Sequence, residues 1–443
     1  QFMIVNVMKF SIYYIFAEWG YFHIGFNLMS GKKIVFLTED YELFMSQDIN
    51  RIEQNNRDLY HNLVACGFII AEKDNEFSKL LHKRNQDVFY NNNSYRLTIL
   101  PTLECNFRCW YCYEKHIQGK MTLQVFEKVK KYIDYILDSI PIFNFQLNWF
   151  GGEPLLCFDE IIYPLSLYVM KLTKSKDIHF SNSITTNGYL IDDDMIEKFK
   201  EIKLNSFQIT LDGYQDVHDK TRHTIGQKGS YAEIIRNINK ICSSIPEAYV
   251  TLRINFTNKT VPDIHKIIDD IHVDNRKKLE VSFQRVWQTI NKEDDAESNL
   301  EEEIDLIREK GAFVQYNTFT YNKGCICYAD SVRQSVVNYD GSLFKCTARD
   351  FASSDQAVGY IDDDGKPVWN NNYYKHFLKA PFDNDECRKC EYAPACLGVC
   401  SQKYIESGDD FLQKHCNKND CKLTIENDLL NSLCDYIDTQ LNQ

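Results

Sequence analysis

The chain has no apolar run long enough to cross a membrane as a helix, so no spanning segment and no membrane partner are expected. Nor is an export signal expected. The opening stretch QFMIVNVMKFSIYYIF is apolar but has neither the basic start nor the small-residue cleavage site of a signal peptide. The alternation within KFSIYYIF reads instead as a strand. Basic charge is in deficit: 50 Lys and Arg face 63 Asp and Glu, a formal net charge of -13, which argues against a nucleic-acid partner held by phosphate contacts and leaves room only for a local basic groove. No internal repeat or low-complexity tract breaks the 443 residues, which suffice for two or three domains. Hydrophobic content of 44% and charged content of 26% are ordinary for a globular protein. The outlier is 16 cysteines. With no export signal and with tight clustering, they point to metal ligation in a reducing cytoplasm and not to disulfides.

Residues 1–90 read as a small winged-helix-like α/β module plus connector. FSIYYIF, YFHIGFNL and KKIVFL alternate as strands, EDYELFMSQD and NRDLYHNLVACGF carry helical spacing, and IIAEKD suits a short wing. A helical connector is predicted over about 76–90. From 91 to 290, strand and helix alternate six times. The strands are SYRLTIL, FNFQLNWF, IHFSNSITTNG, NSFQITLDG, AYVTLRINF and LEVSFQRV, and the helices include 121–139, 158–173, 229–242 and 262–271. This pattern predicts an α/β fold with a parallel sheet, a partial (β/α)6 TIM-like barrel. Residues 291–310 form an acidic connector, 311–425 a cysteine-rich domain and 426–443 a C-terminal helix.

Between the first strand and the first barrel helix lies CNFRCWYCYE, with Cys105, Cys109 and Cys112 but no fourth thiol. Four close cysteines usually close a structural zinc or iron–sulfur site. Three on a four-iron cube leave one iron open to another ligand. The CxxxCxxC spacing with an aromatic before the last cysteine resembles the radical S-adenosylmethionine (radical SAM) superfamily. The resemblance implies that the open iron chelates S-adenosylmethionine and that reductive cleavage yields a hydrogen-abstracting 5′-deoxyadenosyl radical. It places Tyr111 near the adenine and the GGEP turn, Gly151, Gly152, Glu153 and Pro154, at the methionine amine. Asn187 in TTNG falls at the end of the third strand, and Thr210 in TLDG, at the end of the fourth, resembles the family's ribose-side contact. Such turns are individually weak signals. Four of them in register at the carboxyl ends of strands carry the reading.

Toward the C-terminus, CRKCEYAPACLGVC gives Cx2Cx5Cx3C through Cys387, Cys390, Cys396 and Cys400. Upstream, Cys327 precedes Gly341 and, four residues later, Cys346; SVVNYDGSLFKC reads as a hairpin turning at Asp340-Gly341. The set resembles the SPASM domain, whose presence implies two auxiliary 4Fe-4S clusters and three clusters in all. By that resemblance Cys327, Cys346 and Cys400 hold the first, with Cys325 a possible fourth ligand. Cys387, Cys390, Cys396 and Cys416 hold the second, with Cys421 the rival for the last place. Cys66, Cys157, Cys242, Cys434 and, where Cys416 is the ligand, Cys421 read as ordinary buried thiols.

SPASM-bearing radical SAM enzymes act mostly on peptides. The expected activity is modification of a ribosomally made precursor peptide by a thioether, carbon–carbon or carbon–oxygen crosslink. The N-terminal module would grip the leader by strand addition, and a flavodoxin or ferredoxin would act as reductant. Arg222 and His223, in LDGYQDVHDKTRH, and Arg253, in LRIN, are expected to face the cavity; Arg222 and Arg253 are the catalytic candidates. A sulfatase-maturing activity is the alternative. It is disfavoured because Thr347, not the family's Asp, follows Cys346, with Asp350 off register. A non-catalytic electron carrier is the third reading, and the cofactor turns speak against it.

Overall fold

The computed structural model describes residues 7–19, 21–90, 93–257, 259–286, 298–315, 327–378, 385–398 and 400–407, with 416, 418, 422, 425, 426 and 429. Two compact units are present, one from chain segments 1–91, 317–332 and 375–443, the other from 92–316 and 333–374. Among the described residues no helix is long and apolar enough to cross a membrane.

In the first unit, strands β1 (Met8–Phe10), β2 (Tyr14–Trp19), β3 (Phe22–Asn27), β4 (Lys32–Leu37) and β5 (Ile69–Ala71) surround helices Thr38–Met45, Ile49–Asn55 and Arg57–Ala65. β2, β3 and β4 form an antiparallel sheet with β2 and β4 at its edges; β1 pairs with β5. The single strand expected over FSIYYIF is two strands. Ser11, almost fully buried, breaks the run: its hydroxyl donates to Glu76 Oε1 at 2.7 Å and accepts from Tyr13 N at 3.1 Å. Period-2 alternation gives the sheet two apolar faces. Phe36 joins Phe44, Leu63 and Phe68 of the helical side, while Ile15, Ile24 and Phe26 pack with Tyr392, Ile425 and Leu429. The connector forms a helix, Glu76–Asn85, as expected, extended by one wide turn over Gln86–Tyr90.

The second unit is built on β6 (Ser94–Ile99), β7 (Asn144–Trp149), β8 (His179–Thr186), β9 (Leu204–Leu211), β10 (Tyr249–Phe256), β11 (Leu279–Arg285), β12 (Phe313–Gln315), β13 (Gln334–Val337), β14 (Ser342–Phe344), β15 (Gly359–Ile361) and β16 (Pro367–Trp369). All six expected strands pair in parallel and in order. The parallel run goes further than expected: β12 adds beside β11, and β13 beside β6. Three residues in β12 and four in β13 are too few to show a period. The hairpin at Asp340-Gly341 is present, with Gly341 at φ 87. The helix expected over 262–271 is only Lys266–Asp269, because Pro262 is followed by Asp263 in the left-handed region at φ 68. The acidic connector's last part is helical, Ser298–Glu309; its residues 291–297, Cys325, Cys421, Cys434 and nearly all of 426–443 lie outside the described residues.

Parallel strands buried on both faces are usually continuously apolar. These alternate. On β10, Val250, Leu252, Ile254 and Phe256 are buried, while Thr251, Arg253 and Asn255 between them are only half-buried. The apolar set meets the helices, including Val129, Ile133 and Ile136 of Leu123–Ser139. The polar set is left facing an interior space.

Candidate active site

The cysteine loop leaves β6 and is closed at its base. Thr102 Oγ1 donates to Gly119 O at 2.7 Å, Met121 N to Pro101 O at 2.8 Å and Gly119 N to Glu104 Oε1 at 3.0 Å. Within the loop, Phe107 N donates to Cys105 Sγ at 3.4 Å, and Cys112 Sγ lies 3.4 Å from His116 Nε2. The three thiols line one cavity of about 170 Å³. Tyr111, Gly151, Gly152, Asn187, Thr210, Arg222 and Arg253 line it too. Glu153, Pro154 and His223 do not; the His223 ring instead approaches Thr224 O at 3.0 Å.

Glu153 is fully buried behind the wall. Its carboxylate accepts from Thr186 Oγ1 (2.7 Å), Asn187 N (2.7 Å) and Leu155 N (3.0 Å), tying the turn after β7 to the end of β8. Burial raises its pKa against those three donors and Arg222. The two glycines before it are demanded by the chain itself. A Cβ on Gly152 would lie 2.2 Å from Glu104 O, and one on Gly151, at φ 106, 2.5 Å from Thr102 O. The turn is thereby pressed onto the backbone that leads into Cys105.

Across the cavity, the Tyr111 hydroxyl donates to Asp212 and accepts from Arg222 Nη1 (2.8 Å) and Asn255 Nδ2 (3.1 Å). Asp212 is fully buried, and burial pushes its carboxyl up, with Arg222, Tyr111 and Asn255 opposing. For Arg222, burial would lower the pKa, but Cys109, Tyr111 and Asp212 outweigh it, so the guanidinium stays charged. His218 accepts from Asp212 N at 3.2 Å, and burial holds it well below its ordinary pKa. Burial pushes the Cys105 thiol up to about 12 and Cys112 to about 11. Cation binding there must therefore displace protons.

Sequence reasoning passed over Glu114, which lines the cavity with Oε2 unpartnered; burial, then Asp350, raises it to about 8. It also passed over Gln208, Asn255 and Arg285. For Gln208 and Asn255 the signal was present, as polar residues at alternate positions of otherwise apolar parallel strands.

Among the described cysteines, Cys66, Cys105, Cys109, Cys112, Cys157, Cys242, Cys390, Cys400 and Cys416 carry free thiols. Cys387, Cys390, Cys396, Cys400, Cys327 and Cys416 belong to the first unit and Cys346 to the second. Cys387 and Cys390 pack beside the cluster of Tyr13, Leu80, Ala393 and Leu397. Cys157 and Cys242 are buried as expected, while Cys66 is half-buried. Among the described residues no three His, Cys, Asp or Glu side chains converge on one ion. Thiolates of a four-iron cube each bind a different iron, so convergence is not what they require. Three thiols on one cavity wall, without a fourth, fit such a group with one open iron.

Residues 99–271 match the radical SAM superfamily. It is similar to the cysteine-type anaerobic sulfatase-maturating enzyme of Clostridium novyi, 26% identical over 71% of this chain and 93% of that one. Its fold resembles native anSMEcpe with bound AdoMet and Cp18Cys peptide (TM-score 0.58, 20% identity, 77% of this chain and 99% of that chain). It also resembles Streptococcus suis SuiB bound to precursor peptide SuiA (TM-score 0.51, 14% identity, 91% and 98%).

Proposed function

We propose that this radical SAM enzyme modifies a ribosomally made precursor peptide. The observation that carries the reading is the cavity: three thiols on one wall, a charged Arg222 beside them, and polar strand ends from β8 to β11 around the remaining space. Cys105, Cys109 and Cys112 would hold a four-iron cluster, which together with S-adenosylmethionine would supply hydrogen abstraction. The protein's own contribution is positioning. Arg222, anchored through Tyr111 and Asp212, presents a fixed cation to an anionic group of the cofactor. Asn187 is held by Glu153 at its N–H and by Asn106 through its side chain at 2.7 Å, which fixes the end of β8 against the loop.

Two auxiliary clusters, on the Cys327, Cys346, Cys400 set and the Cys387, Cys390, Cys396, Cys416 set, complete the reading. They would exchange electrons with a flavodoxin or ferredoxin in a reducing cytoplasm. The β2–β3–β4 sheet offers edges at β2 and β4 for a leader strand, and the likeness to SuiB extends over 91% of the chain. The expected product is a thioether, carbon–carbon or carbon–oxygen crosslink.

Sulfatase maturation is the second reading, favoured by the Clostridium novyi relative. Against it, Thr347 follows Cys346. Asp350 lies off the cavity wall, paired with Lys115 Nζ at 3.4 Å and accepting from Ala352 N at 3.1 Å. In its favour, Glu114 places a carboxyl on the wall. Mass spectrometry of a Cys-type sulfatase peptide after a single turnover decides between them: conversion to formylglycine would install the second reading, and an unchanged peptide supports the first.

A further inference from the structure

Arg222 and Arg253 both line the cavity but sit in different electrical surroundings. Arg222 interacts with all three thiols, and Asp212 meets its charge through the shared Tyr111 hydroxyl. The groups that act on Arg253 are Tyr113 first, then Tyr111 and Asp212, with Arg222 opposing. Tyr113 in turn donates to Thr347 O at 3.0 Å, in the loop after Cys346. Arg253 therefore faces the Tyr113 side of the cavity and Arg222 the thiol side.

The Arg253 Nε donates to a neutral acceptor, Asn255 Oδ1, at 2.9 Å, and no described carboxylate forms an ion pair with it. Glu114, the acidic side chain on the wall, has Asp350 as its charged neighbour. Asp212 acts on Arg253 without forming an ion pair and is itself engaged by the Tyr111 hydroxyl; a half-buried cation so weakly countered is costly, and the free end of a guanidinium is a planar fork matched to carboxylate. Arg285, the last residue of β11, brings a second guanidinium to the same cavity from the adjacent strand.

We propose that Arg253, with Arg285, forms a carboxylate subsite that takes an acidic side chain or the terminal carboxylate of the peptide close to the residue being modified. The assignment rests on the peptide reading above and narrows it to substrates carrying an anion at that point.

The test uses the reconstituted full-length protein saturated with S-adenosylmethionine. It is titrated by calorimetry with N-acetylglutamate methylamide, its glutamine isostere and N-acetylalanine. Either acidic probe should bind at least about tenfold more tightly than the glutamine probe, and which one does so separates side chain from terminus. R253Q should erase the preference and R253K retain part of it. Equal binding of acid and amide probes overturns the proposal. So does an R253Q variant whose affinity for S-adenosylmethionine falls in step with its affinity for the acid, because Arg253 would then hold the cofactor. A preference that R253Q erases, in a protein that modifies no precursor peptide, keeps the subsite and removes the peptide reading.

Discussion

Replacing Glu153 separates a bracing role from a ligand-binding one. The carboxylate has no exposed surface and accepts three hydrogen bonds, from Thr186, Asn187 and Leu155. In Glu153→Ala all three donors lose their acceptor inside the wall. Each orphaned donor costs about 1–3 kcal/mol, and water entering the vacated space recovers part, leaving roughly 3–5 kcal/mol. On a unit of this size that lowers the thermal midpoint by roughly 6–15 °C. Glu153→Gln keeps one carbonyl acceptor but turns an amide donor toward a donor, so about 1–3 kcal/mol is expected. The assay is urea unfolding of the apo protein, followed by S-adenosylmethionine binding to the reconstituted Gln variant. If Glu153→Gln abolished cofactor binding while leaving the unfolding midpoint unchanged, Glu153 would be a ligand contact and the bracing account would fail.

Four further outcomes follow from the same geometry. Glu114 has a folded pKa of about 8, raised by burial, against an unfolded value near 4.5. The unfolded chain gives up this proton first, so apo stability falls as pH rises from about 4.5 to 8, by a few kcal/mol at most; Glu114→Gln should flatten that fall, and an unchanged profile in urea melts contradicts it. Since burial holds the three cavity thiols above their ordinary pKa, iron loading must release about three protons, seen as tighter binding at higher pH; a pH-independent affinity would refute this. Fully reconstituted protein should carry about twelve irons, and Ala at Cys105, Cys109 and Cys112 together should remove about four; a wild-type content near four would remove the auxiliary clusters. A bound leader peptide should slow hydrogen exchange in an edge strand, 14–19 or 32–37, and not in 22–27; absence of protection leaves the module a structural cap.

The six barrel strands were legible because each carries five or more alternating residues between turn signals, and the thiol motif because its spacing is unusual. β12 was not legible, and β13, legible as one arm of the hairpin at Asp340-Gly341, gave no sign of its pairing with β6: a three- or four-residue strand takes its place from its neighbours, not from its own period. Ser11 shows the opposite failure. A small polar residue inside a good strand pattern became a corner because Glu76 and Asn27, distant in sequence, supply its partners. The GGEP turn was legible as a place where glycines let backbone approach closely. Gly151 and Gly152 also press onto the backbone at 102–104, and Glu153 is not among the residues that line the cavity. Glu114 and Arg285 escaped notice because nothing in a single sequence distinguishes a wall-lining charge from a solvated one.

Reductive cleavage of S-adenosylmethionine tests the central claim most directly. Reconstituted anaerobically and given a strong reductant, the protein should convert the cofactor to 5′-deoxyadenosine and methionine, measured by chromatography. Alanine at Cys105, Cys109 and Cys112 should abolish both products. A wild-type protein that binds the cofactor yet yields only methyl transfer, or a triple variant that still forms 5′-deoxyadenosine, would contradict the account.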